Sequence, residues 1–283
     1  MESLKMNNGL TIPQFGIGVF RLSPDEAEFA VKTALANGYR HIDTANFYMN
    51  ERAVGRGIKA SGLKREEIFL TSKVFPGYYK KIPEVVEATL KRLDTPYLDL
   101  FLLHQPYGDI KKAWLDLEEM VRQGKIKSIG ISNFPAKLVD KMMEYATIKP
   151  VVNQVECHPY HAQDELRAHH EKLGIKLEAW YPLGSMNKKL INEPLWEELA
   201  KKYGKSKVQI ILRWHIQKGN IVIPGSRNEA HIKSNIDIFD FALTEEEMGR
   251  IAKLDKHKKF LPIPRWLGSL FMPLIRMNFD KQK

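Results

Sequence analysis

The sequence predicts an α/β fold, a (β/α)8 TIM barrel with an N-terminal β-hairpin and a C-terminal loop or tail. Three observations lead there. Eight short, strand-like apolar runs recur along the 283 residues with amphipathic segments between them, and parallel strands need helical crossovers of that kind. No Pro-, Gly- or Ser-rich linker interrupts the alternation, so residues 1–283 read as one domain, with the barrel reaching about residue 254 and a tail over 255–283. Closure into a barrel is the most economical arrangement. The alternative, an open doubly wound sheet, needs edges and a switch point into which eight units divide poorly.

Ahead of the first strand, the stretch KMNNGLTIP carries Asn8-Gly9, a two-residue hairpin signal, and the hairpin is expected to plug the bottom of the barrel. The eight strands are read at FGIGVF (15–20), RHID (40–43), EIFLTSK (67–73), LDLFLLH (98–104), IKSIGISN (126–133), PVVNQVE (150–156), IKLEAW (175–180) and NIVIPGS (220–226). Between them lie helical stretches such as PDEAEFAVKTALANG and EVVEATLKRL, whose apolar residues recur at three- and four-residue spacing. Gly38, Gly124, Gly174 and Gly219 stand where helices should stop, as C-cap chemistry requires.

Composition narrows the function. The formal net charge is +10, but eight Lys or Arg against two Asp between Ile251 and Lys283 place +6 of it in the tail. A basic, solvated C-terminus without an accompanying nucleic-acid motif predicts no nucleic-acid partner. No uncharged apolar run reaches the roughly 18 residues that span a bilayer, and MESLKMNNG lacks both a basic n-region and an apolar h-region. No membrane association and a cytoplasmic location are expected, as a monomer or homodimer. The single cysteine, Cys157, excludes an internal disulfide framework and suits a reducing compartment.

Barrel active sites lie at the C-terminal ends of strands, so polar residues that close apolar runs are candidates. Those ends read Asp43, Lys73, His104, Ser132 with Asn133, Gln154 with Glu156, Trp180 and Ser226. A lysine closing a buried strand needs a counter-ion, which Asp43 supplies at the same rim. An ammonium stabilises phenolate, so Lys73 is expected to lower the pKa of Tyr48 from about 10. With His104 orienting a polar atom, the group forms a proton donor and oxyanion pocket for a carbonyl oxygen. No side chain delivers a hydride, so carbonyl reduction requires a nicotinamide. Ser132, Asn133 and Gln154 offer donors and acceptors for its carboxamide, and Trp180 a stacking face. LGS (183–185) and GS (225–226) follow strands seven and eight, where barrels favour phosphate.

The motifs GYRHIDTANFYMNE, EIFLTSK, LFLLHQP, IKSIGISNF, NQVECHP and IPGSRNEAHIKSNIDIFDF occur in that order. On them the sequence resembles the aldo-keto reductase family, in its bacterial 2,5-diketogluconate reductase-like branch, as far as about Leu254. The resemblance implies a catalytic tetrad: Tyr48 as general acid, Lys73 tuning it, Asp43 supporting Lys73 and His104 orienting the carbonyl. It assigns Ser132, Asn133, Gln154 and Trp180 to the nicotinamide, and Leu183, Ser185, Ser226 and Asn235 to the pyrophosphate and adenosine side. Gly225, Arg227 and His231 complete the cofactor-binding loop. Phe20, Phe47, Phe75, His104 and Gln105 are expected to line the pocket for a small-molecule carbonyl substrate.

Three departures from the family pattern matter. Gly225 and His231 stand where the family commonly carries the Lys and Arg that grip the 2′-phosphate. NADP(H) is therefore favoured by resemblance while NAD(H) stays open, with Arg227 and Lys233 as nearby cations. Gln105 replaces a frequent Trp after the histidine and makes one wall more polar. The tail FLPIPRWLGSLFMPLIRMNFDKQK matches no pattern; Trp266 and Phe271 are candidates to cover the substrate, or the segment packs on another subunit or a membrane surface.

Other signals are set aside. GRGIKA (55–60) has Gly-x-Gly-x-x-Ala spacing but follows a helical pattern and not a strand. ECHPYH (156–161) matches no zinc spacing, so no metal is expected. A Tyr-x-x-x-Lys reductase reading does not fit Tyr48, which is followed four residues on by Arg52. The remaining alternative is a non-catalytic, nicotinamide-binding redox sensor on the same barrel.

Overall fold

A computed structural model describes residues 2–262 and 264–282. Strands β1 (Ser3–Lys5) and β2 (Thr11–Pro13) form an antiparallel hairpin with Leu4 opposite Ile12. Its connection is one residue longer than the Asn8-Gly9 signal suggested. Met6 N donates to Leu10 O at 2.8 Å and Gly9 N to Met6 O at 3.1 Å, with Gly9 at φ 86°. This is a three-residue loop with its last residue left-handed, the geometry that a glycine supplies without a Cβ clash. The expected plug forms: Met6 and the fully buried Ile12 pack against Phe69, Leu100, Val152 and Ile221 at the barrel floor.

Eight parallel strands follow: β3 (Ile17–Gly18), β4 (His41–Asp43), β5 (Phe69–Val74), β6 (Leu100–Leu103), β7 (Ile129–Ser132), β8 (Val152–Glu156), β9 (Lys176–Trp180) and β10 (Ile221–Val222). Each pairs with the next, and a bridge from Phe15 to Val222, with Gly16 N donating to Val222 O at 2.9 Å, joins the last to the first. Every run read as a strand from sequence overlaps one, each strand being shorter than its run, and β5 ends one residue beyond its run, at Val74. At β10 the ladder is cut by Pro224, which has no N–H to donate.

Helices α1 (Pro24–Ala36), α2 (Glu51–Ala60), α3 (Ile82–Leu93), α4 (Ile110–Arg122), α5 (Ala136–Met143) and α6 (Asp164–Leu173) form the first six crossovers. After β9 come α7 (Lys188–Ile191), α8 (Pro194–Tyr203) and α9 (Lys207–Gln217); α10 (Glu229–Asn235) follows β10, then α11 (Glu245–Ala252) and α12 (Arg265–Phe271). Local chemistry explains the starts and stops. Ser23 accepts from Glu26 N while the Glu26 side chain accepts from Ser23 N, a capping box ahead of Pro24, and Ala27, Ala30, Val31 and Ala34 make the buried stripe of α1. Gly174 ends α6 at φ 72°.

The glycines of GRGIKA have a packing role. A Cβ on Gly55 would lie 2.6 Å from Leu93 O, and one on Gly57 would lie 2.8 Å from Glu28 O. They let α2 approach α3 and α1.

Beyond α11 the chain crosses the barrel mouth. Phe260 stacks on His158 with centroids 4.4 Å apart. Gly268 seats against the Tyr107 ring, where a Cβ would come within 2.3 Å. Further on, Met277 N donates to the Tyr78 hydroxyl at 2.8 Å, Phe279 packs on Tyr78, and Asp280 pairs with Arg92 at 3.0 Å. Gly268 is the buried residue of α12 and puts Trp266 (69% exposed) on the opposite, outer face; Phe271 at the helix end is 52% exposed, and neither covers the mouth, which Leu261, Met272 and Ile275 line. Among the described residues, no helix is long and apolar enough to cross a membrane.

Candidate active site

β4 ends on Asp43, and the chain then makes a single 3-10 turn, Asn46–Tyr48, before Met49 reverses it at φ 60°. Buried Asn50 pins this loop: its Nδ2 donates to Val19 O and Leu22 O at 3.0 and 3.2 Å, and its Oδ1 accepts from the Thr44 hydroxyl at 3.0 Å. The turn brings the Tyr48 hydroxyl over the end of β5. There Lys73, 0% exposed, spends its three ammonium donors on Asp43 Oδ1 (2.6 Å), Thr44 O (2.9 Å) and Tyr48 Oη (3.1 Å). The other oxygen of Asp43 accepts from Gln154 Nε2 at 2.8 Å. Sequence reading missed Asn50 and the Thr44 carbonyl, because a cap and a backbone acceptor carry no residue signature.

The electrostatics correct one expectation. Burial raises the Tyr48 pKa by more than the Lys73 charge lowers it, and the Asp43 and Glu178 carboxyls add to the rise. The net shift is upward from 10, not downward, so the phenol is firmly protonated at neutral pH. Burial depresses Lys73, but the Asp43 carboxylate and the Tyr48 oxygen overcome it and hold the ammonium above its ordinary pKa. His104, just beyond β6, is pushed well below its usual value by burial and by Lys73, and stands as a neutral imidazole. Its ring lies 5.7 Å from that of Tyr48, and its Nδ1 is buried without a hydrogen-bond partner among the described residues.

A cavity of about 860 Å³ opens above this relay and continues to the loop after β10. That volume is in the range of cofactor and ligand sites, roughly 300 to 1,000 Å³. Phe20, Phe47, Phe75, His104 and Gln105 all line it, with Phe47 and Phe75 stacked at 4.4 Å. On the far side, Ser132 Oγ donates to Gln154 O at 2.9 Å, Asn133 sits at φ 66°, and Trp180 Nε1 donates to Asn133 Oδ1 at 2.9 Å. Gln154 lines the cavity, but its amide N–H is turned to Asp43.

Leu183, Ser185, Gly225, Ser226, Arg227 and His231 line the same cavity. Asn235 is buried at the end of α10 and does not, and neither does exposed Lys233. Gly225 has a structural reason: a Cβ there would lie 2.8 Å from Gly18 O. Arg227, the cation of this loop that reaches the cavity, is paired with Glu26 of α1 at 3.0 Å. Tyr181, Pro182 and Met186 extend the wall beyond the residues found by sequence, and the strand-end candidate Glu156 also lines it, its Oε1 accepting from Phe260 N at 2.5 Å.

These residues fit a nicotinamide dinucleotide on grounds internal to the structure. A neutral imidazole and two side-chain amides line a cavity flanked by an indole, and the far end offers small residues and the Arg227 guanidinium. Comparison with known proteins agrees. The model of the Aldo/keto reductase family matches residues 12–256. Glyoxal reductase of Bacillus subtilis (strain 168) is 45% identical over 268 residues, covering 93% of this chain and 96% of its own. Methylglyoxal reductase DkgA of Escherichia coli (strain K12) is 38% identical over 268 residues, covering 94% and 98%. A solved structure of a Bombyx mori aldo-keto reductase in complex with NADP is similar with a TM-score of 0.91 at 35% identity, covering 96% of this chain and 98% of that one. With a barrel of this topology and matches spanning nearly its whole length, the chain belongs to the aldo-keto reductase family and is an NAD(P)H-dependent oxidoreductase.

Proposed function

We propose that the protein reduces small aldehydes, ketones or dicarbonyls to alcohols with Tyr48 as the proton donor. The observation that carries this is the complete use of the Lys73 ammonium: its three N–H groups are spent, one of them on the Tyr48 oxygen. Tyr48 Oη therefore accepts from Lys73, and its own hydrogen is free to point into the cavity. A bound nicotinamide supplies the hydride to the carbonyl carbon. Tyr48 gives its proton to the carbonyl oxygen, and the phenolate left behind is stabilised by the adjacent ammonium. The raised resting pKa of Tyr48 suits a donor, since the acid form is fully present before reaction and the Lys73 charge acts as the proton leaves. Neutral His104 donates a ring N–H to the same oxygen and orients it.

The cofactor is held by Ser132, Asn133 and Trp180 at the nicotinamide end and by Leu183, Ser185, Ser226 and Arg227 at the other. NADP(H) would be the cofactor if Arg227 exchanged Glu26 for the 2′-phosphate, and the solvent-exposed pair with Glu26 is a weak one to give up. Glyoxal and methylglyoxal reductases among the relatives support small dicarbonyls as the substrate class. The protein acts as a cytoplasmic enzyme, consistent with its lone, buried Cys157.

The test is initial-rate oxidation of NADPH and NADH across aldehydes, ketones and dicarbonyls, with wild type and Tyr48→Phe. We expect the variant to lose roughly 100- to 10,000-fold in kcat while cofactor binding by fluorescence stays near wild type. A variant that keeps most of its kcat removes Tyr48 from the role. Tight cofactor binding by a wild type that turns over none of the substrates would favour a redox-sensing module.

A further inference from the structure

The floor of the active site holds a carboxyl group that the reaction above does not use. Side chains alternate along a strand, so in β9 Glu178 points the same way as Trp180 and sits one layer below it. His41 and Thr71 hold the same relation to Asp43 and Lys73 on β4 and β5, and the barrel interior is built from such layers. Glu178 is therefore directly beneath the relay, opposite Gln154 in the register, and Gln154 donates to Asp43.

Glu178 is fully buried, and neither of its oxygens makes a well-formed hydrogen bond among the described residues; the Gln154 amide, committed to Asp43, is near enough to favour the carboxylate but only as the weakest influence on it. His41 lies beside it, with Nε2 at 3.8 Å. That histidine is no counter-ion: burial, with some help from Lys73, drives its pKa down to about 3, and its Nε2 is engaged with the Thr71 hydroxyl at 3.1 Å. The remaining charged or titratable groups that act on Glu178 are Asp43 and Lys73, already paired with each other, and Tyr48 above them. β8 and β10 present Gln154 and Ile221 in register with it. An unpaired buried carboxylate is costly, so the neutral acid is the form the fold accommodates.

We propose that Glu178 is a positioning residue for the proton donor: it is carried as the neutral acid beneath the Asp43, Lys73 and Tyr48 relay, and in alkaline solution it loses that proton and its charge then opposes Lys73, keeping the Tyr48 phenol protonated. Burial, reinforced by the Asp43 charge against Lys73 and Gln154, raises the Glu178 pKa to about 8. Its charge is also among the causes that raise Tyr48. The consequence is a reductase whose proton donor holds its hydrogen to higher pH than the Lys73 pair alone would allow. This rests on Tyr48 as the donor.

Glu178→Gln keeps the shape and removes the titration, and Glu178→Met serves the same purpose if the glutamine variant folds poorly. We expect kcat/KM for reduction to match wild type within about twofold near pH 6 to 7, where Glu178 is neutral in both proteins. Above about pH 8 the alkaline limb of the variant should begin at a lower pH than that of wild type, because the Glu178 charge that helps to hold the Tyr48 proton is gone. A limb at the wild-type position, or a loss equal at every pH, overturns the proposal. A second readout needs no turnover. Because the folded-state pKa lies above the unfolded one, wild type loses stability relative to Glu178→Gln as pH rises from about 4 to about 8, so the gap between their denaturation midpoints should change steadily over that window. A constant gap shows that Glu178 holds no proton in the folded protein and also overturns the proposal. A changing gap in a protein that reduces nothing would retain the neutral Glu178 and discard the reductase assignment of Tyr48.

Discussion

Replacing Lys73 by Met keeps most of the side-chain volume and removes the one cation that compensates Asp43. Asp43 is 2% exposed and would retain only the Gln154 amide among its side-chain partners. Two outcomes are available to the carboxyl: stay ionised without a counter-ion, which costs about 3–5 kcal/mol in a buried site, or take up a proton. Protonation costs about 1.4 kcal/mol for each pH unit above an ordinary aspartate pKa of about 3.9, which is about 4 kcal/mol near pH 7 and about 1.5 kcal/mol near pH 5. The deficit of Lys73→Met relative to wild type should therefore be about 4 kcal/mol near pH 7 and shrink by roughly 2.5 kcal/mol near pH 5. The sign follows from linkage: burial already holds the folded-state pKa of Asp43 above its unfolded value, and losing the Lys73 charge and hydrogen bond that lower it raises it further, so the variant loses more stability than wild type as pH rises. Urea unfolding at the two pH values, with Lys73→Met and Lys73→Met with Asp43→Asn, measures it. The double variant leaves no buried charge at positions 43 and 73, so its deficit should be smaller than that of the single variant near pH 7 and less dependent on pH. An equal deficit for Lys73→Met at both pH values, or a double variant less stable than the single one, would refute the argument that Asp43 depends on the ammonium.

The remaining expectations concern glycines and the cofactor loop. Gly55→Ala should destabilise by about 1–3 kcal/mol because its Cβ meets Leu93 O at 2.6 Å, whereas Gly249→Ala in α11, with nothing within 4 Å, should stabilise by up to about 1 kcal/mol; urea midpoints that move the same way would contradict the packing reason given for Gly55. His231→Arg should lower KM for NADPH by roughly fivefold and leave NADH unchanged by adding a cation where the side chain lines the cavity, and equal changes for both cofactors would separate His231 from the 2′-phosphate.

Much of the fold was legible in the residues alone because period and punctuation are local. Apolar runs of β-branched residues alternating with three- and four-residue spacing located all eight strands, and the rule that barrel sites lie at strand ends collected Asp43, Lys73 and His104 into one candidate site before any distance was known. Where the sequence reading departed from the structure, the missing quantity was spatial. Asn8-Gly9 signals a tight turn, but the third loop residue depends on how Leu4 and Ile12 pair across the hairpin. Trp266 and Phe271 have the composition of a lid, yet Gly268 against Tyr107 decides which side of α12 faces in.

The sequence by itself determined the residue types, their order and their positions at strand ends, which is enough for the barrel and for the chemistry of an acid beside a lysine. Only the tertiary structure decided the sign of the Tyr48 shift. That sign depends on how much water the fold excludes, set against one charge at 3.1 Å, and neither quantity is written in a motif. Nor does a motif reveal Glu178, which reads as an ordinary polar residue in KLEAW; closing eight strands around a common axis strips it of solvent and counter-ion and sets it beneath the proton donor.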